Sequence, residues 1–127
     1  MTSCLDSWAI LRWLEGAEPA RSRVEDVLAD ERPVVSWINL GEVFYISWRA
    51  GGEDLARSVI DDLRRLTAPD EATPERVLQA ASVKAVHPMA YADAFAVATA
   101  RAHGASLLTG DPEILDIETD WDLEDLR

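Results

Sequence analysis

AYADAFAVATARAHGASLLTGDPEIL, residues 90–115, reads as a helix, a glycine stop, a short apolar strand and a sharp acidic turn. Asp93 sits early in the helix and Asp111 closes the strand. If that strand runs parallel to its neighbours, both carboxylates fall at the carboxyl edge of a sheet. Open α/β folds place their sites at that edge.

Working outward, the same strand–helix alternation recurs. Ser3 to Asp6 reads as a strand, and Asp6-Ser7 opens a helix that stops at Gly16. Pro19 opens a second helix with Val24, Val27 and Leu28 on one face, and Pro33-Val-Val-Ser-Trp is a second strand. Asn39-Leu-Gly-Glu42 has the capping-box pattern, and the helix it opens runs to Gly51-Gly52. Leu55, Val59, Ile60 and Leu63 recur at helical spacing. Leu66 to Pro69 is a weak third strand, Pro74 begins a helix to about Val86, and His87-Pro88 breaks it. The tail, anchored by Ile114, Ile117 and Trp121, offers a fifth strand. The expected fold is a three-layer α/β/α sandwich with a mostly parallel sheet of four or five strands, residues 1–127 forming one domain.

The chain has 127 residues, 48% apolar and 28% charged, which is globular composition. No apolar run approaches the roughly 20 residues of a membrane helix, and no basic-then-apolar leader is visible, so the cytosol is the expected compartment. Cys4 is the only cysteine, which excludes a disulfide framework or a thiolate cluster and reads as a buried, inert thiol. The formal charge of −12 argues against a broad basic surface gripping nucleic acid. Residues 111–127 hold eight acids and only Arg127, so much of that charge lies in the tail. Eleven of the 12 basic residues are Arg, whose forked guanidinium suits phosphate, although a simple preference for Arg explains the count as well.

Four acids hold comparable positions: Asp6 and Asp111 end strands, while Glu42 and Asp93 sit early in helices. Each has an ordinary account. Asp6 starts a helix, Glu42 completes a capping box, Asp93 complements a helix dipole, and Asp111 caps a helix that begins with Pro112. Four carboxylates at one sheet edge would raise one another's pKa unless something positive lay between them. No Lys or Arg is adjacent in sequence to any of the four. Oxygen-only ligands suit Mg²⁺ or Mn²⁺, the cations that activate water against a phosphodiester.

These residues resemble a known family. Leu5-Asp6-Ser7 with its Ala-Ile-Leu helix, Ile38-Asn-Leu-Gly-Glu42-Val, Tyr91-Ala-Asp93-Ala-Phe and Leu108-Thr-Gly-Asp111-Pro are similar, in that order, to motifs of PIN-domain ribonucleases, specifically the VapC-like toxins of toxin–antitoxin pairs. The resemblance implies a metal-dependent endoribonuclease, with Asp6 and Asp93 as principal ligands of Mg²⁺ or Mn²⁺ and Glu42 and Asp111 completing the cluster. Ser7 and Thr109 look like the hydroxyls that steady such a site, although local backbone capping explains them equally well. It also implies RNA cleavage to a 5′-phosphate and a 3′-hydroxyl, a homodimer, and a cognate VapB-like antitoxin. The chain departs from the pattern at Trp8, where a small hydroxyl residue is common, and at Pro88-Met-Ala-Tyr, where a Ser or Thr cap is common.

A receiver-like phosphoacceptor domain would want paired acids after the first strand and a lysine after the last. Asp6 has no acidic neighbour, and Lys84 is elsewhere. A PIN fold kept only for binding would be marked by lost acids, and all four are present. Arg12 and Arg49 lie on the helices of Asp6 and Glu42, where they either meet RNA or solvate a helix. Trp8, Trp13, Trp37, Trp48 and Trp121 suit core and interface alike, with core favoured. His87 and His103 lack ligand spacing and read as loop and helix-end residues.

Overall fold

A computed structural model describes residues 2–127. In chain order the elements are β1 (Ser3–Leu5), α1 (Ser7–Glu15), α2 (Ala20–Asp30), β2 (Val34–Ser36), α3 (Trp37–Gly51), α4 (Glu53–Leu66), β3 (Ala68–Asp70), α5 (Pro74–Val86), α6 (Tyr91–Ala102), β4 (Ser106–Thr109), α7 (Pro112–Leu115) and β5 (Leu123–Asp125). The strands form one all-parallel sheet in the order β3-β2-β1-β4-β5.

Chirality turns this order into two helical layers. Right-handed crossovers carry the chain outward from β1 to β2 and β3 with α1–α4 on one face. The chain then returns past β1 to β4, and the same handedness puts α5 and α6 on the opposite face. The central strands β1, β2 and β4 are therefore buried on both sides at every residue, with only small Ser and Thr side chains at their ends breaking the apolar run. Cys4, Val34 and Leu107 point to the α5–α6 side, while Leu5, Val35 and Leu108 point to the α1–α4 side. Each fully buried Leu contributes roughly 1.5–3 kcal/mol. The strand order reverses direction between β1 and β4, so the crevice of the fold opens past Leu5 and Thr109.

Helix α6 is buried without interruption from Asp93 to Ala100. Its alanines at 94, 96, 98 and 100 make a thin cylinder that fits between the sheet and α5. The acidic tail is held down: Arg23 Nε and Nη2 grip Glu124 at 2.7 and 3.1 Å, and Leu126 is buried with its N–H on the Thr109 carbonyl at 2.9 Å.

Two element boundaries differ from the sequence reading. Helix α3 begins at Trp37, capped by Ser36, whose Oγ accepts from Ile38 N at 3.1 Å. A cap at the end of β2 leaves no place for the Asn39–Glu42 capping box, so Asn39 turns inward and Glu42 lies in the second turn. The third strand starts at Ala68 because α4 runs through Leu66, with Thr67 Oγ1 donating to the Leu63 carbonyl at 2.6 Å. Cys4 is buried, and burial pushes its thiol far up, which leaves it inert. Among the described residues no helix is long and apolar enough to cross a membrane.

Candidate metal centre

Local capping chemistry aims Asp6 and Asp111 at the crevice. Asp6 leaves β1 and caps α1, its Oδ1 accepting from Ala9 N at 2.8 Å. Its Oδ2 accepts from the buried Thr109 hydroxyl at the end of β4, which ties the two central strands together across their carboxyl ends. The same Thr109 oxygen accepts from Asp111 N at 3.0 Å. Asp111 caps α7 by accepting from Glu113 N at 2.9 Å, so the α7 turn holds both acids in place. Glu42 Oε1 accepts from Ser7 Oγ at 2.8 Å and from Asn39 Nδ2 at 3.1 Å, which leaves Oε2 open.

The closest grouping is Asp93, Asp111 and Glu113, each offering one carboxylate oxygen within 4.8 Å of the others. Two oxygens on opposite sides of a Mg²⁺ stand about 4 Å apart, so this trio is near ligand spacing. Glu113 did not stand out in the sequence. An acid in the first turn of a helix is ordinary dipole chemistry, and its only signal was the Asp-Pro-Glu spacing after β4. Asp6 and Glu42 lie outside the trio but within electrostatic reach of each other, and Asp6 also feels Asp111.

The electrostatics show what the cluster lacks. Burial pushes the Asp6 carboxyl up to about 7, opposed by the Thr109 and Ala9 hydrogen bonds and reinforced by the charges of Asp111 and Glu42. Burial, a hydrogen bond with Glu113, and the charges of Asp111, Glu113 and Asp6 push Asp93 up to about 8. Asp93 Oδ2 is buried without a hydrogen-bond donor, and the Asp93 carboxylate has as its neighbours Asp111 and Glu113, groups that only accept when ionised. None of the ion pairs among the described residues involves Asp6, Glu42, Asp93, Asp111 or Glu113. An ionised cluster of this kind needs a cation, and its donors are all oxygens, which suits a hard divalent ion.

The basic residues near these helices are engaged elsewhere. Arg12 pairs with Glu15 at 3.1 Å and lies 4.9 Å over the Trp8 ring, and Arg49 lies 5.0 Å over Tyr45. Lys84 donates to the Met89 carbonyl at 2.8 Å. His103 Nε2 lies 2.8 Å from Asp70, and His87 stacks edge-on against Trp121. Trp8, Trp13, Trp37 and Trp121 pack against the two cores, whereas Trp48 is exposed.

Trp8 takes its place because Gly110 has no side chain. A Cβ on Gly110 would fall 2.2 Å from the Trp8 ring, which roofs the β4–α7 turn. Gly110→Ala is therefore expected to cost about 1–3 kcal/mol, the usual range for overpacking. The loss should largely vanish in a Trp8→Ala background, as read by urea denaturation of the double-mutant cycle. Strictly additive losses would contradict this packing.

Fold and site together define an α/β protein whose all-oxygen acidic cluster, compatible with a metal site, lies at the switch point of a parallel sheet. The chain belongs to the PIN domain family, whose sequence model matches residues 3–119. The same fold occurs in a chain of the DNA-bound VapBC complex of Salmonella typhimurium (TM-score 0.78, 16% identity, 100% of each chain covered). It is also found in a toxin–antitoxin complex of Klebsiella pneumoniae (0.79, 15%, covering 99% of this chain and 98% of that one). The Mycobacterium tuberculosis toxin VapC20, which cleaves the sarcin–ricin loop, is similar as well (0.72, 16%, 87% and 91%). No curated protein sequence matches the chain.

Proposed function

We propose that the protein is a Mg²⁺- or Mn²⁺-dependent endoribonuclease and acts as the toxin of a toxin–antitoxin pair. The observation that carries this reading is the Asp93 carboxylate: buried, without a donor on Oδ2, and facing Asp111 and Glu113. Membership of a family typified by nucleases supports it, as do the structural neighbours that come from toxin–antitoxin complexes.

Asp93, Asp111 and Glu113 would hold the cation, with Asp6 and Glu42 at its flank. When bound, the cation supplies Lewis-acid stabilisation of the phosphate's developing charge and makes a nearby water more acidic. Asp6 is fixed by Thr109 and the Ala9 N–H, so it needs no reorganisation during the reaction. Glu42 is held through Oε1 and keeps Oε2 free to orient the attacking water and take its proton. The leaving 3′-oxygen takes up a proton, which gives 5′-phosphate and 3′-hydroxyl ends. A second copy of the chain and a VapB-like antitoxin are the proposed partners.

Purified protein is expected to cut structured RNA with Mg²⁺ or Mn²⁺ and to stop when EDTA is added. End-labelling should find 5′-phosphates. Undiminished cutting in EDTA, or cyclic-phosphate ends, would rule out this chemistry.

A further inference from the structure

Asn39 is fully buried on the first turn of α3, and the proposed chemistry assigns it no role. Both hydrogens of its amide are committed. One goes to Glu42 Oε1 at 3.1 Å, and the other to the carbonyl of Ala92, the residue before Asp93, also at 3.1 Å. Those two acceptors fix the orientation of the amide, with Nδ2 toward both. They also leave Asn39 Oδ1 buried without a donor. The unpaired oxygen offsets part of what the two donated bonds contribute, so stability is not the whole account of this residue.

The start of α6 explains what the amide does. Side chains cap α1, α3, α5 and α7 through Asp6, Ser36, Thr73 and Asp111. The N-cap of α6 is Ala90, which makes no side-chain hydrogen bond. Helices α2 and α4 lack such a cap too; what distinguishes α6 is that its first turn, next to Asp93, is tied to α3 by the Asn39 amide donating to the Ala92 carbonyl. The bonds Ser7–Glu42–Asn39–Ala92 run across α1, α3 and α6, touching Glu42 itself and residues adjacent to Asp6 and Asp93.

We propose that Asn39 is a positioning residue that sets the Glu42 carboxylate and the α6 turn bearing Asp93 in register with each other, and thereby tunes divalent-cation binding. This rests on the metal-site reading above. The hydrogen bonds that orient metal ligands typically matter by about 10–100-fold in affinity or activity.

The test compares wild type with Asn39→Leu, which has a similar volume and removes the unsatisfied oxygen together with both donors, and with Asn39→Asp, which reverses the donor toward Glu42. Mn²⁺ affinity is read by isothermal titration, the fold by circular dichroism and thermal melting, and RNA cleavage as kcat and KM. Asn39→Leu is expected to melt close to wild type, yet bind Mn²⁺ about 10-fold more weakly and lose kcat with little change in KM. Asn39→Asp removes the same donors but adds a negative charge, so it should also lose kcat, and kcat at the wild-type level would overturn the positioning role. Wild-type Mn²⁺ affinity in a folded Asn39→Leu protein would overturn the positioning role and leave the metal site standing. Absence of Mn²⁺ binding in wild type would overturn both. If Asn39→Leu fails to fold, Asn39→Ser, with one donor and less bulk, should show a partial loss of affinity, and wild-type affinity there would overturn the proposal.

Discussion

Stripped of divalent cation, the protein should become less stable as pH rises from about 4 to 8, and Mn²⁺ should restore the loss. The sign follows from the two buried carboxyls. Their folded-state pKa values of about 7 for Asp6 and about 8 for Asp93 lie above the ordinary carboxyl value of 3.8, so the folded state binds more protons than the unfolded state between these limits. Their favourable contribution is complete below pH 4 and is lost as pH climbs through 7 and 8. Each tenfold change in a group's proton affinity corresponds to about 1.4 kcal/mol, so even after solvent screening at Asp93 the two carboxyls account for a loss of at least about 2 kcal/mol. Asp70 behaves oppositely. Burial acts to raise it, but the hydrogen bonds from Arg76 and His103 outweigh burial and hold it low. Its contribution disappears only below about pH 4, so the two windows stay apart. Thermal melts in EDTA and in Mn²⁺ across this range read the effect directly. A metal-free melting temperature that is flat or rises toward pH 8 would contradict the buried-carboxylate account.

The second large effect is expected from Asp93→Asn. The substitution keeps shape and removes one buried negative charge, and the new amide can donate to Asp111 or Glu113 where two acceptors faced each other. Metal-free Asp93→Asn should therefore be more stable than wild type at pH 8, and its stability should vary less with pH. Cleavage should fall on the order of a thousandfold, the scale for losing a group that organises charge in the transition state. Mn²⁺ should no longer raise its melting temperature. This combination separates the site from a folding defect, since a merely damaged protein would lose activity and stability together. A destabilised but still Mn²⁺-responsive variant would place the cation elsewhere.

Particular residues show how far the sequence could be read. Gly104, the apolar run Ser106–Thr109 and the Asp111-Pro turn mark the α6–β4–α7 segment because glycine, strand burial and N-capping are local effects. The sheet order was not local: no stretch of sequence records that the chain returns past β2 to lay β4 beside β1. Asp6 and Asp111 were recognisable because both end strands. For Glu42 it is the ordinary account that fails: the cap of α3 is Ser36, so Glu42 completes no capping box and is held by Ser7 and Asn39 instead. Glu113 and Asn39 remained unread because their surroundings come from distant chain. Asn39 reaches Ala92 across 53 residues and Thr109 reaches Asp6 across 103, and no spacing rule spans such gaps.

The acidic net charge fits this arrangement. Much of it lies in a tail pinned by Arg23 and Leu126, and the cluster itself is neutralised in part by the cation it would hold. Association with RNA would then depend on local contacts and on the cation, with a small salt dependence compared with a basic nuclease.

The most direct test is RNA cleavage by wild type and Asp93→Asn prepared in parallel, each assayed with Mn²⁺ and with EDTA. Cutting by wild type in Mn²⁺ alone, with the folded variant slower on the order of a thousandfold in Mn²⁺ and idle in EDTA, is the expected result. Equal cutting by both proteins would show that the activity does not belong to this site and would contradict the account.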